Sequence, residues 1–208
     1  MSNRQTSKAP FLTVRQLALI SVLSALAAVL YVLQIPVVAF YKLDFSNLAV
    51  LLGGFAMGPV PALMILLIKG LLGLLWSTSA GVGELADFIM GASMVLPAVI
   101  IYHRHKSQNT ALIGMGIGTA LMIVVSVFVN KWIMIPFYMG AFHVDMNVIL
   151  GMAKNSAIDS EWKLLLMVTA PFNLLKGLVL SLITYFIYKP LSPILKGDFS
   201  GLGRRAKR

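Results

Sequence analysis

The 208-residue chain contains no cysteine, so disulfide frameworks and cysteine-ligated metal sites are excluded. Charge is scarce: 12% of the residues are Asp, Glu, Lys or Arg, about half the usual share. Only seven of them are acidic. No GxxxxGK[ST] phosphate loop occurs, which excludes ATP hydrolysis by the chain itself. No HExxH pair occurs either. The histidines are His103, His105 and His143, and the first two sit in a basic turn. A serine protease or a histidine-ligated metalloprotease therefore has little to work with. These absences disfavour an enzyme.

What the chain has in excess is apolar residues, at 59% against roughly 45–50% in an ordinary soluble domain. That much apolar surface cannot be hidden from water in a chain of this size. It also rules out disorder. Each bilayer crossing takes about 20 residues, so six would use roughly 120 and leave short loops.

The hydropathy pattern divides accordingly. A polar segment, 1–15, precedes an apolar run from Leu17 to Ile35 that ends at Pro36. The run is long enough to span and lacks a small-residue cleavage pattern, so it reads as a helix and not a signal peptide. A loop from Val37 to Asn47 follows. The stretch Leu48 to Trp76 is broken by Gly58, Pro59 and Pro61, which predicts two helices, about 47–58 and 61–76, the first of them short. Residues 77–83 form a loop. A fourth span runs from Glu84 to Tyr102 and a fifth from Thr110 to about Met139, where Pro136 bends or ends it. The connection 140–163 has room for a short interfacial helix over Val144 to Ala153. A sixth span covers Leu164 to Tyr188, followed by a basic tail, 189–208.

The fold class is thus an all-α integral membrane protein: one transmembrane domain over 1–208, with six helices and both termini on one side. The formal net charge of +10 has two readings, a nucleic-acid patch or membrane orientation. The apolar content favours the second. Eleven Lys or Arg fall in the N-terminal segment, the 103–109 turn and the tail, while the opposite loops hold only Lys42, Lys154 and Lys163. That asymmetry puts both ends in the cytoplasm. The expected setting is a cell membrane crossed several times, with no nucleic-acid partner. A basic tail also suits anionic lipid.

The informative residues are polar ones inside apolar runs, because a charge at the bilayer centre costs about 2.5–3.5 kcal/mol on the insertion scale. Three lysines qualify: Lys69, Lys131 and Lys176. Lys131 lies near the outer end of its span, where it either snorkels or lines a pocket. Lys69 is near mid-span, where a structural ion pair is the plain alternative. Lys176 has 12 residues of its run on either side, so its ammonium cannot easily reach water by snorkelling. Asn173 shares its helix face, and Pro171 loosens the backbone just above.

At 1.5 Å per residue, Asn130 lies about 28 Å up the ascending fifth helix, with Asn173 and Lys176 about 13 and 18 Å down the descending sixth. Together they are placed to line an outward-opening pocket beneath the 37–47 loop. Amides both donate and accept, which suits a flat, neutral ring with an imide-like edge. Tyr41, Phe45, Trp132 and Phe137 either flank such a ring or form an interfacial belt. Glu84 and Asp87, three apart on one face, either cap their helix start or bind a cation. On the first helix, Ser21, Ala25 and Ala28, with Ser24, make a small-residue stripe that lets another helix approach closely, either within the bundle or from a partner.

Over residues 15–196 the sequence resembles the substrate-binding (S) components of energy-coupling factor (ECF) vitamin transporters, in particular the riboflavin-binding branch. The likeness rests on Lys42-Leu-Asp-Phe-Ser46, Gly83-Glu-Leu-Ala-Asp87 with Gly91-Ala-Ser93, Asn130, and Pro171-Phe-Asn-Leu-Leu-Lys-Gly177. It implies high-affinity capture of riboflavin from outside, as a transported ligand and not a cofactor. It implies that Asn130, Asn173 and Lys176 meet the isoalloxazine ring, that Leu43, Asp44 and Asn47 belong to the covering loop, and that Asp44 or Asn47 meets the ribityl hydroxyls. It further implies a coupling transmembrane subunit and two ATPase subunits as partners, docked through Ser21, Ala25 and Ala28. Serine at 21 departs from that family's alanine-rich pattern. The competing function is a self-sufficient secondary transporter, which needs a buried carboxylate relay.

Overall fold

The computed structural model describes residues 12–38 and 41–195. The predicted polar N-terminus up to residue 11 and the basic tail from 196 onward lie outside the described residues. Helix α1 (Val14–Val32) starts at Thr13, whose side chain accepts from the Gln16 amide while the Gln16 side chain reaches back to the Thr13 amide. This reciprocal cap satisfies amides that a helix start otherwise leaves bare. Strands β1 (Ile35–Val38) and β2 (Tyr41–Leu43) pair antiparallel, Ile35 opposite Leu43 and Pro36 opposite Lys42. The segment predicted as a loop is therefore a small two-stranded sheet. Its runs Ile-Pro-Val-Val and Tyr-Lys-Leu carry the branched and aromatic residues that favour strands.

Helix α2 (Ser46–Met57) turns into α3 (Pro59–Gly73) at Gly58. Gly58 has φ +108°, a conformation open to glycine and strained for any side chain. The proline that follows suits the first helical turn, where its missing N–H costs nothing. One 3₁₀ turn (Leu74–Trp76) and a loop lead to α4 (Val82–Arg104).

Helix α5 (Gln108–Val129) continues through a π-helical turn (Asn130–Met134) into α6 (Ile135–Ala141). The short α7 (Met146–Gly151) occupies the long connection, in the stretch where a short helix was expected. Helix α8 (Glu161–Leu164) passes through a second π-helical turn (Leu165–Thr169) into α9 (Ala170–Leu195). The last helix thus extends into the segment read as tail.

Pro136 does not end its span. Two of the interior prolines, Pro136 and Pro171, lie two residues beyond a π turn. A proline has no N–H to donate one turn back. The wide turn, closed by Ile135 on the Asn130 carbonyl and by Ala170 on the Leu165 carbonyl, shifts the bonding frame just before the proline arrives. Such turns concentrate at functional sites.

Five segments are long and apolar enough to cross a membrane: Val14–Val32, Pro59–Trp76, Val82–Arg104, Gln108–Ala141 and Glu161–Ile187. The sixth expected crossing, α2, has 12 residues. At about 18 Å it reaches little more than half of a hydrocarbon layer about 30 Å thick. Its interior position accounts for its composition. It packs against α1, α3, α4 and α9, and Val50, Leu51 and Phe55 are fully buried. By contrast the outer faces of the long helices expose Val22, Leu71, Ile113, Leu182 and many like them, a surface suited to lipid and not to water. Helix α5 meets α4 at very short range. A Cβ on Gly114 would sit 2.8 Å from the Ala98 carbonyl oxygen, and one on Gly118 would collide with that of Met94. This is the close approach that small residues permit in membranes.

Candidate substrate-binding cavity

A cavity of about 340 Å³ opens at the end of the bundle where α1 finishes and α4 begins. This is the end opposite the start of α1 and the α4–α5 turn. Its walls come from the α1 C-terminus, β2, the loop before α4, the first turns of α4, the π turn and α6 of the fifth span, and α9. The volume falls within the usual range for small-molecule sites, roughly 300–1,000 Å³.

Four of the six expected ligand residues meet here: Asp44, Asn130, Asn173 and Lys176 all line the cavity. They come from three separate parts of the chain. The other two do not line it. Leu43 packs among the apolar residues beside α7 and the second π turn. Asn47 is 1% exposed and accepts from Lys69 Nζ at 3.0 Å. Of the aromatics expected around a ring, Tyr41 lines the cavity, while Phe45, Phe137 and Trp132 do not. Trp132 is 64% exposed and stacks on Phe128, as a residue of an interfacial belt does. Tyr31, Tyr138 and Phe172 take the places the sequence reading gave to the others.

The hydrogen bonds set what each polar group has left to offer. Asn130 Nδ2 donates to the Ser126 carbonyl at 2.8 Å and Asn173 Nδ2 to the Thr169 carbonyl at 2.9 Å. Each bond fixes the amide's orientation, because a carbonyl can only accept. Each asparagine therefore turns its Oδ1 away from its own helix. Asn130 Oδ1 accepts from the Tyr41 hydroxyl at 3.0 Å, and the same hydroxyl contacts Thr169 Oγ1. These contacts tie the strand pair to both π turns. Burial pushes the Tyr41 phenol up from its ordinary pKa, so it stays neutral and keeps its proton to donate. Asn173 Oδ1 has no hydrogen-bond partner among the described residues.

The two buried lysines differ in the same accounting. An ammonium has three protons to donate. Lys69 Nζ spends all three, on Ser46 Oγ at 2.8 Å, Asn47 Oδ1 at 3.0 Å and Asp87 Oδ2 at 2.6 Å. Lys69 is thus the structural ion pair that was one of its two readings. Lys176 Nζ spends two, on Asp44 Oδ2 at 2.7 Å and Asp87 Oδ1 at 3.4 Å. One proton remains without a partner among the described residues, and Asn173, one turn earlier on α9, lines the same cavity. A donor and an acceptor therefore line the cavity one helical turn apart.

Asp44 also accepts from the Ser46 amide at 3.0 Å and contacts its hydroxyl. Burial alone would push the Asp44 carboxyl up. Lys176 and Lys69 beside it, with those hydrogen bonds, outweigh burial and hold it well below the usual carboxylate range. Asp87 joins both lysines. Neither sequence reading of Asp87, as a cap or as a cation site, placed it between two lysines, although the signal was present in an ionisable residue at the start of an apolar span. Glu84 does hold the preceding loop, accepting from Ser77 Oγ at 2.8 Å and Ser79 Oγ at 3.2 Å. Lys131 pairs with Glu161 at 3.4 Å and lies 3.9 Å over the Trp162 ring, outside the cavity. Among the described residues no cluster of His, Cys, Asp or Glu could hold a metal ion.

On α1, Ser21 and Ala25 are exposed and Ala28 is half-buried, whereas Ser24 is packed inside the bundle. The stripe thus divides between an outward and an inward face.

Known proteins are similar to this chain over most of its length. The family profile for the substrate-specific component of ECF transporters matches residues 15–188. The riboflavin transporter RibU of Staphylococcus aureus (strain TCH60) is 33% identical over 187 residues, 88% of this chain and 93% of that one. The riboflavin transporter FmnP of Bacillus subtilis (strain 168) is 27% identical over 86% of this chain and 93% of its own length. A solved structure of the S component of a bacterial ECF transporter superposes with a TM-score of 0.68 at 33% identity, over 88% of this chain and 98% of that one. The profile match and the shared length agree with the apolar helical bundle: the chain belongs to the family of ECF transporter substrate-specific components.

Proposed function

We propose that this chain is the riboflavin-binding subunit of an ATP-driven ECF uptake transporter. It captures the vitamin from outside and releases it inward with a coupling transmembrane subunit and two ATPase subunits. The observation that carries the reading is that Lys176, with a proton to spare, and Asn173, with a carbonyl to spare among the described residues, line one cavity a helical turn apart. A flavin's pyrimidine edge presents a carbonyl next to an imide N–H, the complementary pair. Asn130 stands across the same cavity, and Tyr41 and Phe172, with ring centroids 5.1 Å apart, supply aromatic surface. Asp44 is the candidate partner for the ribityl hydroxyls. Asn47 acts through Lys69, and Leu43, in the strand pair, packs against the apolar residues beside α7. Riboflavin is cargo and not a cofactor, and the chain itself catalyses no reaction.

In this reading α2 is counted as the sixth, shortened transmembrane helix. Both termini are cytoplasmic, the cavity opens to the exterior, and the setting is the bacterial plasma membrane. Ser21, Ala25 and Ala28 dock the coupling subunit. The secondary-transporter reading needs a relay of buried carboxylates, but Asp44 and Asp87 are both paired with lysine, which leaves Glu84 alone without a cationic partner among the described residues.

The test is direct. Protein purified from riboflavin-fed cells should carry flavin absorbance, and riboflavin fluorescence should quench on binding to the flavin-free form. Vesicles holding this chain alone should not accumulate riboflavin without ATP and its partners. Colourless protein that fails to quench riboflavin refutes the reading.

A further inference from the structure

The ionisable groups in and directly behind the cavity balance. Lys42, Asp44, Glu84, Asp87 and Lys176 line it, and Lys69 stands behind Asp87 at 2.6 Å. Three cations face three carboxylates. The balance is local as well as formal. Both buried ammoniums are held by Asp44 and Asp87 at 2.6–3.4 Å. Glu84, 7% exposed, is held by serine hydroxyls and has no lysine or arginine within ion-pair distance among the described residues. The remaining cation, Lys42, is solvent-exposed on β2, where water screens it. An anionic group entering the cavity would meet one uncompensated carboxylate and no uncompensated buried cation.

We propose that Asp87 and Glu84 are selectivity residues that keep the cavity free of net positive charge, so that it takes an uncharged flavin and rejects the phosphate ester of the same flavin. The inference rests on the riboflavin reading and extends it to the choice between two ligands that share one ring. Lys176 would otherwise attract a phosphate. Asp87, together with Asp44, leaves it as a hydrogen-bond donor with little net field. A unit charge about 8 Å from a phosphate, at an effective dielectric constant of about 20, alters affinity by roughly tenfold or more.

The experiment measures affinities for riboflavin and riboflavin 5′-phosphate by fluorescence quenching, and reads the ratio of their dissociation constants. Wild type should favour riboflavin by at least about tenfold. Asp87→Asn and Glu84→Gln each raise the cavity charge by one and keep an acceptor in place, so each should lower the ratio by about tenfold. Lys42→Gln removes an exposed, water-screened cation and should raise it, by less than the buried substitutions lower it. Lys42→Gln and Glu84→Gln decide the matter if Asp87→Asn does not fold. A wild type that binds both flavins equally, or variants that bind riboflavin with an unmoved ratio, overturn the proposal while leaving the riboflavin reading intact. Binding of neither flavin by wild type overturns both.

Discussion

Two asparagines test the division between residues that face the cavity and residues that build it. Asn173→Ala removes an acceptor with no other partner among the described residues and, in the proposed binding mode, leaves the flavin's imide N–H stranded in a buried site. Leaving a buried donor unsatisfied costs about 1–3 kcal/mol, which is roughly a 5- to 150-fold loss of riboflavin affinity. The backbone should tolerate the change, because the Thr169 carbonyl that loses the Asn173 side chain retains the α9 helix around it.

Asn47→Ala removes an acceptor from Lys69 Nζ and nothing from the cavity wall. Its cost of about 1–3 kcal/mol should appear as a lower unfolding temperature, with riboflavin affinity held within about threefold. Quenching titrations and thermal unfolding of both proteins in the same detergent separate the two effects. Equal affinity of Asn173→Ala and wild type, or a loss in Asn47→Ala as large as in Asn173→Ala, would refute the argument.

Lys69→Met strands the Asp87, Ser46 and Asn47 acceptors and should destabilise the protein by about 3–5 kcal/mol, as breaking a buried pair does; a melting temperature like that of wild type would contradict it. The Asp44 carboxyl titrates below its ordinary value of about 3.9, so its share of stability is fully present above that value and is lost as pH falls through the depressed folded one. Riboflavin binding should therefore hold steady from pH 8 to about 5, with the Asp44 contribution failing only below about 4; a titration showing loss centred near pH 6 would rule Asp44 out as the cause. Ser21→Leu and Ala25→Leu should abolish co-purification of the coupling subunit without changing riboflavin affinity, since both positions are exposed and away from the cavity. Retained co-purification in both variants would move the docking surface elsewhere.

Much was legible in the chain because a bilayer punishes polarity so heavily. Apolar runs of spanning length, breaks at Gly58 and Pro59, and charges sunk in oil all followed from composition and spacing. Asn173 and Lys176 were readable because they share one helix face within one run. Asn130 was readable because depth can be counted along a helix. The two prolines could be seen, but their effect could not. Whether a proline ends a helix or is absorbed by a π turn depends on what packs beside it.

Local order along the chain determined the membrane class, the orientation signal and the residues worth suspecting, since hydropathy and charge are properties of each segment alone. Only the tertiary structure decided which of those residues share a cavity, that Lys69 has spent all its protons while Lys176 keeps one, and that Asp87 joins them. Those outcomes depend on distances between groups up to 132 positions apart, which no spacing along the chain encodes.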